Sequence, residues 1–130
     1  MSSRVNERKL IKKLRENACE VVDKHDLDKD NTLVLEQVPF PHGRADIVIY
    51  GLYKSLYVVP LGIEVKREIR SATELFHYVD QIRKTYEHAF AYIYLASGEV
   101  RNDELVKEYL KELGYGFIKI GEKGVDEIVK

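Results

Sequence analysis

Seven consecutive residues, Ala89 to Leu95, are apolar or aromatic without interruption. The run is strand-length and rich in aromatic side chains, so it reads as β rather than α. Alternate side chains of a strand point to opposite faces, and a strand with no polar residue must therefore be covered on both. That one segment demands a sheet sandwiched between helices. The flanking pattern supplies them. Val5 to about Lys24 carries Leu10, Ile11, Leu14, Ala18, Val21 and Val22 at three- and four-residue spacing, which predicts one amphipathic helix. Thr32 to Val38 reads as a strand broken by the segment Pro39 to Gly43. Ala45 to Tyr50 is a second strand, Gly51 to Ser55 a connection, and Leu56 to Lys66 a third strand in which Pro60 and Gly62 suggest a bulge or an edge position. Ser71 is an N-cap with Glu74 as its capping-box partner, opening a helix to about Glu87 that buries Leu75, Phe76, Val79, Ile82 and Tyr86. After the apolar strand, Asn102 or Asp103 starts a helix that Gly114 ends. Tyr115 to Ile120 makes a last strand, and the tail from Gly121 forms a helical turn. The expected class is α/β: a three-layer fold of order α-β-β-β-α-β-α-β, with a mixed sheet and helices on both faces. One domain over residues 1–130 suits that length.

Charge narrows the partners. Twenty-one basic and 22 acidic side chains leave a net charge of −1, so any polyanion must be met by local clusters rather than by an overall basic surface. No apolar stretch approaches the roughly 20 residues of a membrane span, and the start Met-Ser-Ser-Arg carries no secretory pattern. The one cysteine, Cys19, has no internal partner and reads as inert packing, in keeping with a reducing cytoplasm. Abundant lysine and glutamate without tryptophan lean towards a thermophilic source.

The middle strands carry charges where strands of a covered sheet do not. Glu64 and Lys66 stand inside Leu61-Gly-Ile-Glu-Val-Lys66, two residues apart and hence on one face. Asp46 precedes the apolar run Ile47 to Ile49 on the strand before. If the two strands pair antiparallel about a centre near Ser55, Asp46 falls opposite Glu64. Two carboxylates so placed repel until a hard cation such as Mg²⁺ joins them. Mg²⁺ takes one or two carboxylates and completes its shell with water and phosphate oxygens. A metal held this way positions a water and lowers its pKa, while a nearby lysine orients that water or neutralises the attacked phosphate. The trio suits phosphodiester hydrolysis.

Asp46, then Glu64-Val65-Lys66, preceded by a helix and set in α-β-β-β-α-β, resembles the PD-(D/E)XK nucleases: restriction endonucleases, archaeal Holliday junction resolvases and RecB-type nucleases. The resemblance spans roughly Val5 to Ala96 and departs from the motif at Ala45, where the motif has proline. It implies that Asp46, Glu64 and the Val65 carbonyl bind Mg²⁺, with Mn²⁺ able to substitute, and that Lys66 acts on the water. It also implies DNA as partner, a homodimer, and an archaeal, bacterial or viral source. The superfamily often adds an acid on the first helix. At about 100° per residue, Glu7 lies on the stripe of Ile11, Leu14 and Ala18, whereas Glu16 and Glu20 lie opposite. Glu7 is therefore the expected acid. RecB-type relatives carry a glutamine and a tyrosine on the following helix. Gln81 sits off the buried stripe and is open to a site role, while Tyr86 sits on the stripe and reads as core. Arg44, Arg67, Arg70, Arg83 and Lys84 are the expected phosphate contacts.

Other chemistries lack their residues. The acidic run Asp26 to Asn31 has Asn31 and Gln37 where a calcium loop needs glycine and glutamate. His42, His77 and His88 lack zinc spacing, and neither a P-loop nor a dinucleotide fingerprint is present, so no nucleotide cofactor is expected. The rival reading is a nuclease fold that binds DNA or assembles without cutting.

Overall fold

The structure is a computed structural model that describes residues 3–130, with side chains from Glu7 onward. Its elements are α1 (Ser3–Glu16), α2 (Ala18–Lys24), β1 (Leu33–Phe40), β2 (Gly43–Tyr53), β3 (Tyr57–Ile69), α3 (Ala72–Tyr86), β4 (Tyr92–Val100), α4 (Asp103–Glu112), β5 (Gly116–Ile120) and β6 (Val125–Val129). The six strands form one sheet in sequence order. β1, β2 and β3 run antiparallel, β3, β4 and β5 parallel, and β6 returns antiparallel on β5. The mixed sheet has helices on both faces, as the apolar run demanded. Along β4, Tyr94 and Ala96 pack with Leu14, Ala18 and Val21 of α1 and α2, while Ile93 and Leu95 pack with Val79, Ile82 and Leu110 of α3 and α4. Among the described residues no helix is long and apolar enough to cross a membrane.

Several local expectations change. The first helix breaks at Asn17, whose side-chain amide donates to Lys13 O at 2.8 Å and whose own N–H is shared between Lys13 O and Leu14 O. Asparagine's competition for backbone partners is what divides α1 from α2. Cys19 on α2 is exposed rather than packed, and so is Phe76 on α3. β1 runs on through Pro39, which an edge strand tolerates. The tail is a strand, because β5 offers an open edge that a helical turn would leave unpaired.

β3 is neither bulged nor at an edge. Pro60 fits because its backbone faces β4 before that pairing begins: its carbonyl takes Ala91 N at 2.9 Å, and the first β3–β4 pair is Leu61 with Tyr92. Gly62 is a seat for rings, since a Cβ there would lie 2.7 Å from both Tyr86 and Phe90. α3 thus lies close on β3. Its start is the capped one expected, with Ser71 Oγ accepting from Glu74 N at 3.2 Å.

Candidate active site

The β2–β3 ladder runs from Tyr53 opposite Tyr57 to Ile47 opposite Ile63, which centres it on Ser55 and puts Asp46 next in line with Glu64. That next rung is not made. Side chains take over instead. Asp46 Oδ2 accepts from Val65 N at 2.7 Å, and Asp46 N donates to Tyr86 Oη at 3.0 Å. Tyr86 Oη lies 2.6 Å from Glu64 Oε1 and 3.2 Å from Ile63 O. A phenol has one hydrogen, and the short contact to the carboxylate is the stronger claim on it. The strands therefore fork at Asp46, with the Tyr86 hydroxyl seated in the opening. Side-chain alternation breaks at the same place: Ile47 and Ile49 belong to the core under α1 and α2, whereas Ala45 joins Val48 in the core under α3. Opposite, on β1, Gln37 has φ 53° and its amide reaches Asp46 Oδ1 at 3.4 Å.

Electrostatics at the fork are unbalanced. Glu64 is 7% exposed. Lys66 Nζ lies 3.4 Å from Glu64 Oε2 and 4.9 Å from the centre of the Tyr78 ring. One ammonium thus faces two carboxyls. Burial, and then the neighbouring Glu64 carboxylate, push the Asp46 carboxyl up to about 8, while the hydrogen bond from Val65 and the charge of Lys66 pull the other way. Burial and then the same two carboxyls raise the Tyr86 phenol far above its ordinary value, so it stays a donor. A carboxyl raised by burial and by a neighbouring carboxylate is one whose charged form a cation would favour. The donors are all oxygen, the set a hard divalent ion takes. Val65 adds its carbonyl to the same side, because a strand residue points its N–H and C=O together and Val65 N already faces Asp46. Among the described residues no group of three or more His, Cys, Asp or Glu could hold a metal, so any such ion leans on that carbonyl and on water.

Asp46 also lines a cleft of about 600 Å³ shared with Glu7, Arg8 and Ile11 of α1, Glu36 and Gln37 of β1, and Arg44. Two residues expected from the sequence, Glu7 and Arg44, thus lie in one cleft with Asp46. Gln81, Arg67, Arg70, Arg83 and Lys84 do not line that cleft. Gln81 contacts His77 at 3.4 Å, and its buried Oε1 has no partner among the described residues. Arg67 and Arg70 pair with Glu68 at 3.0 and 3.3 Å, and Arg70 also with Glu74. Lys84 pairs with Asp80 on the outside of α3, and Arg83 lies beside Tyr115. Tyr86 is fully buried as expected, yet its hydroxyl belongs to the site. A buried phenol needs a polar partner, and the charged strand was the available one. Arg8, Gln37 and Tyr78 carried no signal of their own in the sequence.

No family model matches the chain, and no curated protein matches it. Among solved structures it is similar to the crystal structure of a repair endonuclease from Pyrococcus abyssi, with a TM-score of 0.46 and 20% identity. The similarity covers 82% of this chain and 46% of that one, so the chain spans less than half the length of that protein.

Proposed function

We propose that the chain is a metal-dependent deoxyribonuclease of the PD-(D/E)XK kind. The observation that carries this is the fork: two carboxyls and a lysine meet where β2 and β3 part. Asp46, Glu64 and the Val65 carbonyl would hold Mg²⁺ or Mn²⁺. When bound, the ion activates a water and stabilises charge on the attacked phosphate. Lys66 Nζ, beside Glu64, orients the attacking water by hydrogen bonding. Tyr86 fixes one oxygen of Glu64, and the other faces Lys66 Nζ. Glu7 faces the cleft as the added acid, and the exposed Arg44 reaches a substrate phosphate at its mouth. Arg67, Arg70, Arg83 and Lys84 remain candidates for contacts farther along the backbone, and Gln81 for a contact beside the site. One small domain embraces little DNA, and the working form is a homodimer, which light scattering would register as twice 15.1 kDa.

The test is a cleavage panel of duplex, single-stranded, flap and four-way-junction DNA with Mg²⁺ and with Mn²⁺. At least one substrate is cut by the wild type, and Asp46→Asn and Lys66→Ala each reduce cutting to background. A wild-type protein that binds DNA and cuts nothing with either metal overturns the enzyme reading in favour of a binding or assembly module.

A further inference from the structure

We infer that Tyr78 is the positioning residue for Lys66, holding the ammonium over the face of its ring. The inference rests on the nuclease reading for what Lys66 does, but not for the contact itself. A lysine ammonium ends a flexible four-carbon stem and is a point charge free to turn. Glu64 Oε2, at 3.4 Å, is its nearest carboxylate oxygen. Held by Glu64 alone, Lys66 would follow that carboxylate and neutralise the group a cation needs. The Tyr78 ring, with its centre 4.9 Å from Nζ, supplies a second attraction that uses none of the ammonium's hydrogen bonds. Those remain for water, carboxylate or phosphate.

The ring is itself held in place. Tyr78 Oη donates to Glu68 O at 3.3 Å, two residues beyond Lys66 on the same strand. Strand fixes ring, and ring fixes ammonium. Only 19% of the Lys66 side chain is exposed, so water competes weakly for it. The placement follows from how α3 lies on β3. Tyr78, Ile82 and Tyr86 succeed one another at four-residue spacing along the helix, and Ile82 is fully buried between the two tyrosines. Running back along β3, this row sets Tyr78 on Lys66 and Tyr86 on Glu64. One helix face thereby supports both charged residues, the carboxylate through a hydroxyl and the ammonium through a π face.

Tyr78→Phe keeps the ring and loses the hydroxyl, while Tyr78→Leu loses both. In the metal-free protein, the Lys66 ε-methylene protons are shifted upfield by the ring current in wild type and Tyr78→Phe, and the shift disappears in Tyr78→Leu. On a cleaved substrate, Tyr78→Phe stays within about twofold of wild-type kcat, whereas Tyr78→Leu falls about tenfold at unchanged KM. Lys66 protons at their unshifted position in the wild type overturn the inference whatever the activity. A Tyr78→Phe kcat as low as that of Tyr78→Leu also overturns it, by assigning the effect to the hydroxyl. A wild type that cuts nothing but retains the shift ends the nuclease reading and leaves the placement of Lys66 standing.

Discussion

The two ends of the β2–β3 pair are built from the same strands on opposite principles. From Tyr53 back to Ile47 the pair is a regular antiparallel ladder of seven rungs, and its members Ile47, Val48, Ile49, Leu61 and Ile63 are fully buried. One step further the ladder stops. Two backbone groups beyond the last rung, Asp46 N and Val65 N, meet the Tyr86 hydroxyl and the Asp46 carboxyl instead. The apolar end gains stability from burial and has no chemical capacity. The forked end gives up ladder bonds and apolar area, and gathers charge in return. The difference teaches that the fork is stable because it borrows from the ladder beside it, so damage to the two ends should register in different measurements.

The largest effect belongs to the ladder. Leu61→Ala removes a fully buried side chain between Ile49 and the core under α1, and should lower unfolding stability by about 3 kcal/mol in urea melts. A loss under 1 kcal/mol would mean that the ladder is not the anchor. Next comes the wedge that separates the ends. Tyr86→Phe keeps the ring but strips Asp46 N and Glu64 Oε1 of a buried partner, at a cost of about 1–2 kcal/mol by the same melts. Stability equal to wild type would show that water replaces the hydroxyl, and hence that the fork is wetter than its burial suggests.

The last effect is a pH slope confined to the fork. The Asp46 carboxyl is raised from 3.8 to about 8, so between those values the folded chain holds a proton that the unfolded chain has lost. The stability from this group is therefore full below pH 4 and is lost as pH rises towards 8. Metal-free wild type should lose stability steadily from pH 5 to pH 8 relative to Asp46→Asn, which has no such carboxyl. Thermal melts in chelator at matched ionic strength measure it. Parallel wild-type and Asp46→Asn curves would remove the raised Asp46 from the account.

Much of this was legible in the residues. The run Ala89 to Leu95 announced a doubly covered strand, although β4 itself starts at Tyr92 and extends to Val100. Spacing alone placed Asp46 opposite Glu64, and the helical wheel chose Glu7, which does line the cleft with Asp46. Surface arginines were less legible. Arg67 and Arg70 sit near the motif in sequence, but Glu68 lies between them and takes both. Nearness along a chain says little about which of several equally exposed acids a long side chain will meet.

What the sequence by itself determined is the class of fold and the trio of charges, because period and strand parity are local properties that survive any tertiary arrangement. Only the tertiary structure decided that the trio sits at a fork. The opening depends on the Tyr86 hydroxyl entering from a helix that begins after the strand has ended, and on Gly62 leaving room for the ring. It likewise decided that the last residues are a strand, since Val125 to Val129 have β5 to pair with only once the sheet exists. A hydrogen-bond partner distant in the chain has no local signature, and both features turn on one.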